Sequence, residues 1–311
     1  MILTAGEALI DMVMQPAPAS HLFAAKVGGA PLNAAMALGR LDVPVKFACP
    51  ISTDNFGDMI VEQLTASNVG LAAPVRVFEP SPLAIVTVNA AGVPSYSFHR
   101  EGTADRQIDD SFIAQCLDSD FNLLHVGGTA LSSAIDFGQW LKLIVAAKDR
   151  GALVSIDPNM RPALIDDLVD YQARMAVAFA HADIIKASDE DCDLLFGHAD
   201  FEALCADNFA AAKLVVMTQG AKDCVAKANG KTALRLPVAP VTGICDTVGA
   251  GDCFQAGMLS VLWRAGSLAS ADTLGSMDAE TLSGALTFGN KVAAFNCQQD
   301  GCNPPYLHEL A

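Results

Sequence analysis

Asp246-Thr247-Val248-Gly249-Ala250-Gly251-Asp252 is the most informative segment of this sequence, because it places a carboxylate behind a run of small residues. Small residues let the backbone approach a ligand closely. Apolar residues follow at three- and four-residue steps, which predicts a helix that begins here. The unpaired N–H groups of a helix N-terminus suit a phosphate, and Asp252 beside it would accept a proton from an attacking hydroxyl. For the short motif alone, a glycine-rich turn with an N-capping Asp252 is an equal alternative.

The longer segment resembles the C-terminal signature of the ribokinase-like (PfkB) family of sugar kinases. Together with Ala256-Gly257-Met258-Leu259, it fills every restricted position of that pattern. The resemblance implies that Asp252 is the catalytic base. It also implies an anion hole for the transferring phosphoryl group, formed by the backbone amides of Gly249, Ala250, Gly251 and Asp252.

Length and composition indicate a globular protein, large enough for one large or two ordinary domains. The chain has 311 residues, 52% of them hydrophobic, and no apolar run long enough to cross a bilayer. The segment 1–14 lacks a basic start and contains two carboxylates, so it is expected to be a strand and not a signal peptide. We expect no membrane partner.

Charge and cysteine content narrow the class further. The formal net charge of −16 opposes binding to nucleic acid, which needs a basic surface. A nucleotide is still compatible, because a small site can use local dipoles and a metal ion. Nine cysteines without a CxxC pair favour reduced thiols and a cytoplasmic location.

From about residue 120 onward, apolar strand candidates alternate with helical stretches. The strands are predicted at 122–126, 153–156, 183–185 and 214–217, and small or polar residues follow each of them. This alternation predicts right-handed βαβ units in a mostly parallel sheet covered by helices. In such α/β sheets, ligands bind beyond the carboxyl ends of the strands.

Residues 76–105 break the alternation. Strand-like segments at 83–88 and 95–99, with a turn at Ala90-Ala91-Gly92, predict a β-hairpin. A second strand-like piece spans 11–27 and is interrupted by Pro16 and Pro18.

The family resemblance gives these segments a place in the fold. It implies a ribokinase-like three-layer α/β fold, with a mostly parallel central sheet and a small β-sheet lid that often mediates dimerisation. We therefore expect a homodimer through the lid. The expected lid segments are 12–27 and 76–105, and the expected main domain, with the ATP and catalytic sites, comprises 1–11, 28–75 and 106–311.

The resemblance also implies where the sugar binds. Gly28-Gly29-Ala30-Pro31-Leu32-Asn33 is similar to the family's N-terminal signature, although Asp42 and Ser52 stand where the family normally has a small residue. Asp11, expected at the end of the first strand, can accept hydrogen bonds from two vicinal hydroxyls. An exposed carboxylate at a strand end is the alternative. The expected sugar contacts are Asp11, Gly28, Gly29, Asn33, Phe98, Arg100, Asn159, Arg161 and Asp252.

Two of those contacts come from a loop, Asp157-Pro158-Asn159-Met160-Arg161. It matches the Asp-Pro-Asn-x-Arg loop of fructokinases and 2-keto-3-deoxygluconate kinases. Arg161 suits bidentate contact with a phosphate or a sugar acid, and a structural ion pair with Asp166 or Asp167 is the alternative. On the hairpin, Phe98 and Arg100 resemble the fructokinase lid, where the aromatic ring covers the sugar and the arginine touches its hydroxyls. Simple packing is the alternative for Phe98.

Ser188-Asp189-Glu190-Asp191 occupies the place of the family's Asn-x-x-Glu motif, which organises Mg²⁺ and its waters near the phosphates. Asp191 stands at the Glu position with an arm one methylene shorter, so contact with Mg²⁺ through water is expected. Glu190 is a substitute, and an acidic first helical turn is the alternative. The implied ATP contacts are Lys186, Ser188, Thr218, Gly220, Gly249, Gly251 and Asn290. The pattern also permits a monovalent cation such as K⁺ between the loop at Asp246 and Val248 and the loop around Gly301 and Cys302.

The resemblance runs from end to end and favours an ATP- and Mg²⁺-dependent sugar kinase, most like the bacterial fructokinases. The expected reaction is transfer of the γ-phosphoryl group to a primary hydroxyl of fructose. The nearest alternative is a 2-keto-3-deoxygluconate kinase or another sugar or nucleoside kinase of the family. The runs 8–11 and 186–189 lean towards fructokinase. A non-catalytic sugar- or nucleotide-binding relative is a further alternative, which the intact Asp252 disfavours.

Overall fold

The computed structural model describes residues 1–15, 22–88, 94–238 and 240–310. Pro16, Pro18 and the turn predicted at 90–92 lie outside the described residues. The strands, in chain order, are β1 (Ile2–Ala5), β2 (Leu9–Met14), β3 (Phe23–Gly28), β4 (Val45–Ala48), β5 (Gly70–Leu71), β6 (Leu83–Val88), β7 (Pro94–His99), β8 (Leu123–Gly127), β9 (Leu153–Asp157), β10 (Ile184–Ser188), β11 (Leu214–Thr218), β12 (Asp223–Ala228) and β13 (Leu234–Pro237).

The helices alternate with the strands of the main sheet. They are α1 (Ala30–Arg40), α2 (Asn55–Ala66), α3 (Asp110–Leu117), α4 (Ala134–Asp149), α5 (Leu168–Ala180), α6 (Asp189–Phe196), α7 (Phe201–Asp207), α8 (Ala250–Arg264), α9 (Ala271–Gly275) and α10 (Ala279–Cys297). Short 3₁₀ helices span Ala104–Arg106, Gly128–Leu131, Pro162–Leu164 and Leu307–Leu310. Among the described helices, none combines the length and the apolar character that a membrane span needs.

The main sheet has nine strands in the order β13-β12-β11-β10-β9-β8-β1-β4-β5. From β11 to β5 all neighbours are parallel, and β12 and β13 extend the sheet through antiparallel pairs. The predicted mostly parallel sheet is therefore confirmed. Strands β8 to β11 each run one to three residues further than expected, so that polar residues such as Asp157 and Ser188 end the strands instead of following them.

Helices cover both faces of this sheet, because successive apolar side chains of its strands point to opposite faces and are buried on both. In β1, Ile2 belongs to one core with residues of α1, α8 and α10, whereas Leu3 belongs to a second core with residues of α4 and α5. The first core is tight where α8 meets α10, since a Cβ on Gly257 would lie 2.8 Å from the Cα of Gly289. Two cores around one sheet make the three layers.

The N-terminal segment differs from the single strand expected over residues 1–14. It forms two strands in two sheets, β1 and β2, separated by a sharp change of direction at Gly6, whose φ is +144°. A Cβ at Gly6 would also lie 2.5 Å from the Cγ of Pro31, so the bend requires glycine. Asp11 consequently lies in the middle of β2, not at the end of the first strand.

A second, four-stranded sheet has the order β3-β2-β6-β7. Strands β6 and β7 pair antiparallel as the predicted hairpin, and β2 joins β6 in parallel. The expected start of the lid at residue 12 falls inside β2. If the lid is defined by membership of this sheet, its first segment begins at Leu9.

Candidate active site

Helix α8 begins after Gly249, a position that has no room for a side chain, and its first turn presents backbone N–H groups. Gly249 caps the helix with a φ of +74°, and a Cβ there would lie 2.3 Å from the Sγ of Cys302. The first intrahelical bond runs from the N–H of Cys253 to the oxygen of Gly249, 2.8 Å away, so the N–H groups of Gly251 and Asp252 precede it. The N–H of Ala250 instead donates to Thr247 O at 3.2 Å. In this conformation one of the four amides expected to form the anion hole is therefore already hydrogen-bonded within the protein.

Asp252, in the first turn of α8, is a buried carboxylate held by two amides. Its Oδ2 accepts from Asn33 Nδ2 at 2.9 Å and its Oδ1 accepts from Asn159 Nδ2 at 3.0 Å. Burial raises the pKa of Asp252 to about 7, although the hydrogen bond from Asn33 acts in the opposite direction. A carboxylate with a pKa near neutrality is well matched to general-base catalysis.

The residues predicted for sugar binding at the N-terminal signature lie together. The carboxylate of Asp11 packs against Gly28, where a Cβ would lie 2.2 Å from Asp11 Oδ2. Gly29 precedes α1 with a φ of +120°, and Asn33 lies in the first turn of that helix. Within the described residues Asn33 Oδ1 is buried without a hydrogen-bond partner, so it is free to accept from a substrate hydroxyl. Burial raises the pKa of Asp11 to about 6, against the opposing charge of Arg161.

Glu7 is a site residue that the sequence interpretation did not single out. Its buried carboxylate accepts from the N–H of Ala30 at 3.1 Å and from the N–H of Thr129 at 2.9 Å. It therefore ties the start of α1 to the turn after β8. Burial raises the pKa of Glu7, and the charge of Arg100 opposes this rise. The only signal in the sequence is a carboxylate directly after Gly6.

Lys186 and Asp157 form a buried ion pair beneath α8. Lys186 Nζ lies 2.8 Å from Asp157 Oδ2, with about 4% of either side chain exposed. Burial, the largest single influence, would lower the pKa of Lys186, but the carboxylates of Asp157, Asp252 and Asp191 together outweigh burial and raise it, so the ammonium stays charged. Lys186 Nζ also lies 3.0 Å from where a Cβ of Gly251 would be. A fixed positive charge thus adjoins the free amides of the helix start.

The loop after β9 holds Asn159 in a left-handed conformation, with a φ of +39°. Arg161 folds back on this loop, where Nη1 donates to Asn159 O at 2.9 Å, to Met160 O at 3.1 Å and to Asn159 Oδ1. Among the described ion pairs it does not meet Asp166 or Asp167. In this conformation Arg161 stabilises the loop that carries Asn159.

At the start of α6, the side chains of Ser188 and Asp191 form hydrogen bonds within the protein. Asp191 Oδ2 accepts from Ser188 Oγ at 2.7 Å and Ser188 N at 3.2 Å, and Asp191 Oδ1 accepts from Met160 N at 2.8 Å. Ser188 Oγ in turn accepts from Asp191 N at 3.0 Å, which completes a capping box. Asp191 is buried, whereas Glu190 is exposed.

The lid contributes an aromatic pair. Phe98 is in register with Ala84, which is in register with Asp11, so Phe98 and Asp11 share a face of the small sheet. Tyr96, two residues before Phe98 and on the same face, stacks with it at a centroid distance of 6.1 Å. The sequence interpretation missed Tyr96, although its spacing from Phe98 carried the signal.

Arg100, which was expected to contact the sugar, forms an ion pair within the protein. Its Nε and Nη2 donate to Asp105 Oδ2 at 2.9 and 2.6 Å, and both side chains are buried. The guanidinium is therefore engaged in an internal ion pair. The pairing depends on the turn between Arg100 and Asp105, which the sequence pattern does not determine.

Several of the residues expected to contact the nucleotide lie near the carboxyl ends of strands β10 and β11 of the main sheet. Ser188 is in register with Thr218, and Thr218 with Cys224, on adjacent strands. Asn290 on α10 donates towards Cys224 Sγ at 3.7 Å, and Gly220 follows β11 with a φ of +57°.

The two loops expected around a monovalent cation are joined by hydrogen bonds. Asp246 Oδ1 accepts from Val248 N at 3.0 Å, and its Oδ2 accepts from Gly301 N at 3.1 Å. Asn296 Nδ2 donates to Val248 O at 2.7 Å. These contacts hold the 246–248 segment beside the helix start.

Comparison with known proteins shows to which family the chain belongs. The family model described as "pfkB family carbohydrate kinase" matches residues 2–309. A fructokinase from Rhizobium leguminosarum bv. trifolii is 37% identical over 287 residues, covering 91% of this chain and 85% of that protein. The crystal structure of a Xylella fastidiosa fructokinase with bound ATP has a TM-score of 0.87 at 28% identity, covering 99% of this chain and 96% of the other.

A second solved structure carries more ligands. A double mutant of the fructokinase from Vibrio cholerae O395, in a form with bound fructose, ADP and potassium ion, has a TM-score of 0.80 at 26% identity, covering 97% of this chain and 93% of the other. The similarity of sequence and fold extends over almost the whole chain. The chain belongs to the pfkB family of carbohydrate kinases.

Proposed function

We propose that this chain transfers the γ-phosphoryl group of ATP to the primary hydroxyl of fructose that yields fructose 6-phosphate. The observation that carries the proposal is Asp252, a buried carboxylate with a pKa near 7 between two asparagine amides at a helix N-terminus. The similar fructokinases with bound ATP, or with bound fructose and ADP, support the choice of both substrates.

The chemical step follows from the positions of these groups. Asp252 takes the proton of the sugar hydroxyl, the hydroxyl oxygen forms a bond to the γ-phosphorus, and the bond from that phosphorus to the β,γ-bridging oxygen breaks to release ADP. The amides at the start of α8 and the ammonium of Lys186 face the charge on the phosphoryl oxygens. Positioning and electrostatic stabilisation of this kind dominate phosphoryl transfer.

On the sugar side, a polyol fits better than a sugar acid. Asp11 supplies a carboxylate acceptor, and Asn33 supplies a free amide oxygen. A keto-deoxy acid would place its own carboxylate near Asp11 and would need a free cation. Arg100 is bound to Asp105, and Arg161 is bound to its own loop. We propose that Gly28, Gly29 and Phe98 complete the sugar pocket.

On the nucleotide side, we propose contacts with Ser188, Thr218, Gly220 and Asn290 along the sheet edge. Divalent metal use is expected because Mg²⁺ neutralises charge on the phosphates in such transfers. Asp191 does not fit this role well, since both of its carboxylate oxygens accept hydrogen bonds from the protein. Glu190 is exposed and is the candidate that fits, through water. A potassium ion near Asp246 and Val248 is also part of the proposal, and activity with and without K⁺ tests it.

We further propose a cytoplasmic homodimer that associates through the small sheet. Leu22 and Phe23, at the start of β3, expose 57% and 38% of their surface, which supports a contact there. All nine cysteines are free thiols, as a reducing compartment would leave them. Size-exclusion chromatography with light scattering tests the dimer, and a Phe23→Ser variant should shift it to the monomer.

An ADP-release assay with fructose, ribose, 2-keto-3-deoxygluconate and nucleosides tests the proposed activity. We expect kcat/KM for fructose to exceed that for the sugar acid by at least about tenfold, which corresponds to about 1.4 kcal/mol of transition-state binding. Identification of the product by NMR should give the 6-phosphate. Preference for the sugar acid, or ADP release without a phosphorylated sugar, would reject the proposal.

A further inference from the structure

Both oxygens of the Asp191 carboxylate accept hydrogen bonds from other groups of the protein. One oxygen accepts from the backbone N–H of Met160 at 2.8 Å, and the other accepts from the hydroxyl and the backbone N–H of Ser188. The residue is buried, and three charge-assisted hydrogen bonds fix its orientation. An aspartate in this position therefore links two segments, the start of α6 and the loop after β9.

The loop that Asp191 holds is the one that contacts the catalytic base. Asn159, directly before Met160, has a φ of +39°, in the left-handed region that asparagine adopts more readily than other residues with a side chain. The bond from Met160 N to Asp191 and the contacts of Arg161 hold this loop in place. The amide of Asn159 donates to Asp252 Oδ1 at 3.0 Å. The hydrogen bonds thus run from Asp191 through the Met160 backbone and Asn159 to Asp252.

We propose that Asp191 is a positioning residue for the catalytic base and not a ligand, direct or through water, of the metal ion. It fixes the Met160 N–H and thereby keeps Asn159 in the conformation that orients Asp252. This inference rests on the proposed role of Asp252 in fructose phosphorylation.

Kinetics of Asp191→Ala and Asp191→Asn test the proposal. Misplacement of a catalytic group by about 1 Å can cost about 100-fold, so we expect Asp191→Ala to lower kcat at least about tenfold. The Mg²⁺ concentration for half-maximal activity should change less than about twofold, because the proposal gives Asp191 no contact with the metal ion. Asp191→Asn retains an oxygen that can accept from Met160 and should recover most of kcat. Asp193→Ala, an exposed position on the same helix, is the matched control.

Hydrogen–deuterium exchange gives a second measurement that needs neither metal nor sugar. The Met160 amide should be protected in the wild-type protein, and peptides covering residues 158–162 should exchange faster in Asp191→Ala but not in Asp193→Ala. A rise of about fivefold or more in the Mg²⁺ requirement of Asp191→Ala would overturn the proposal. Equal inactivity of Asp191→Asn and Asp191→Ala, or an unprotected Met160 amide, would do the same. If the wild-type protein does not phosphorylate fructose, the proposed function fails, and the exchange measurement still decides whether Asp191 holds the loop.

Discussion

At the scale of single residues, the environment of Asp252 determines what the site can do. Two asparagine amides donate to its two oxygens, and burial keeps its pKa near 7. An aspartate with its ordinary pKa would be a weaker base for a hydroxyl. The sequence indicated Asp252 as the base and Asn33 and Asn159 as sugar contacts, but it did not predict that both amides would meet Asp252.

Asp252→Asn should abolish phosphoryl transfer. The amide keeps the shape of the side chain but cannot accept the proton, so we expect kcat to fall by at least about 100-fold. The affinity for ADP, measured by calorimetry, should change little. A variant that keeps kcat within a few-fold of the parent would show that another group is the base.

Activity should fall in acid because two carboxylates must be ionised. The pKa values of Asp252 and Asp11 are raised to about 7 and about 6, in both cases chiefly by burial. We expect log kcat/KM for fructose to fall with a slope of about 1 below pH 7 and about 2 below pH 6. Asp11→Asn should remove the lower limb only. ADP affinity over the same pH range is the control, and a profile flat down to pH 5 would refute the assignment.

The same raised pKa values have an opposite effect on stability. The ordinary pKa of an aspartate is 3.8, so between about pH 4 and pH 7 the folded state binds more protons at these two positions than the unfolded state does. Their contribution to the free energy of unfolding therefore decreases as the pH rises through this window. Low pH therefore stabilises the folded protein through these two side chains and, by protonating them, lowers the activity.

At the scale of elements, the start of α8 depends on the absence of a side chain at Gly249. Gly249 and Gly266 have the same φ of +74°, but only at Gly249 would a Cβ meet another atom, Cys302 Sγ at 2.3 Å. A left-handed conformation costs a residue other than glycine on the order of 1–3 kcal/mol, and overpacking costs about 1–3 kcal/mol more. We therefore expect Gly249→Ala to be more destabilising than Gly266→Ala in urea unfolding, and to lower kcat.

Cys302→Ala relieves part of the clash. In the Gly249→Ala background it removes the Sγ but leaves the Cβ of residue 302 at 2.7 Å and the strain of the positive φ, so stability should return only part of the way towards the loss seen in Gly266→Ala. Equal losses in all three proteins would mean that the contact with Cys302 is not limiting.

The sequence predicted elements better than their contacts. Periodicity gave the strands from β8 to β11 and the hairpin of β6 and β7, because each pattern is local. The change from the main sheet to the small sheet was expected at residue 12 and occurs before Leu9, since the close approach of Gly6 to Pro31 joins distant parts of the chain. The ion pair of Arg100 with Asp105 was missed for a related reason, because the geometry of the turn determines it. Family and fold were predicted, and both are confirmed.

At the scale of the whole molecule, one ion pair joins the small sheet to the loops beside α8. Lys26 on β3 is in register with Asp11, and its Nζ lies 2.5 Å from Asp300 Oδ1. The next residue, Gly301, donates to Asp246, which also accepts from Val248 next to the helix start. The small sheet and the start of α8 are thereby connected through residues far apart in sequence.

Lys26→Met and Asp300→Asn should each weaken fructose binding slightly. The pair is partly exposed, with 29% and 78% of the two side chains accessible. Exposed pairs contribute about 0.2–1 kcal/mol, so the KM for fructose should rise by at most about fivefold while kcat stays nearly constant. The double variant should show no further loss, and about 1 M salt should remove the difference from wild type by screening. Lys142→Met, which breaks the surface pair with Asp110, is the matched control. Additive losses in the double variant, or an equal effect of Lys142→Met, would show that the contact does not link the lid to the site.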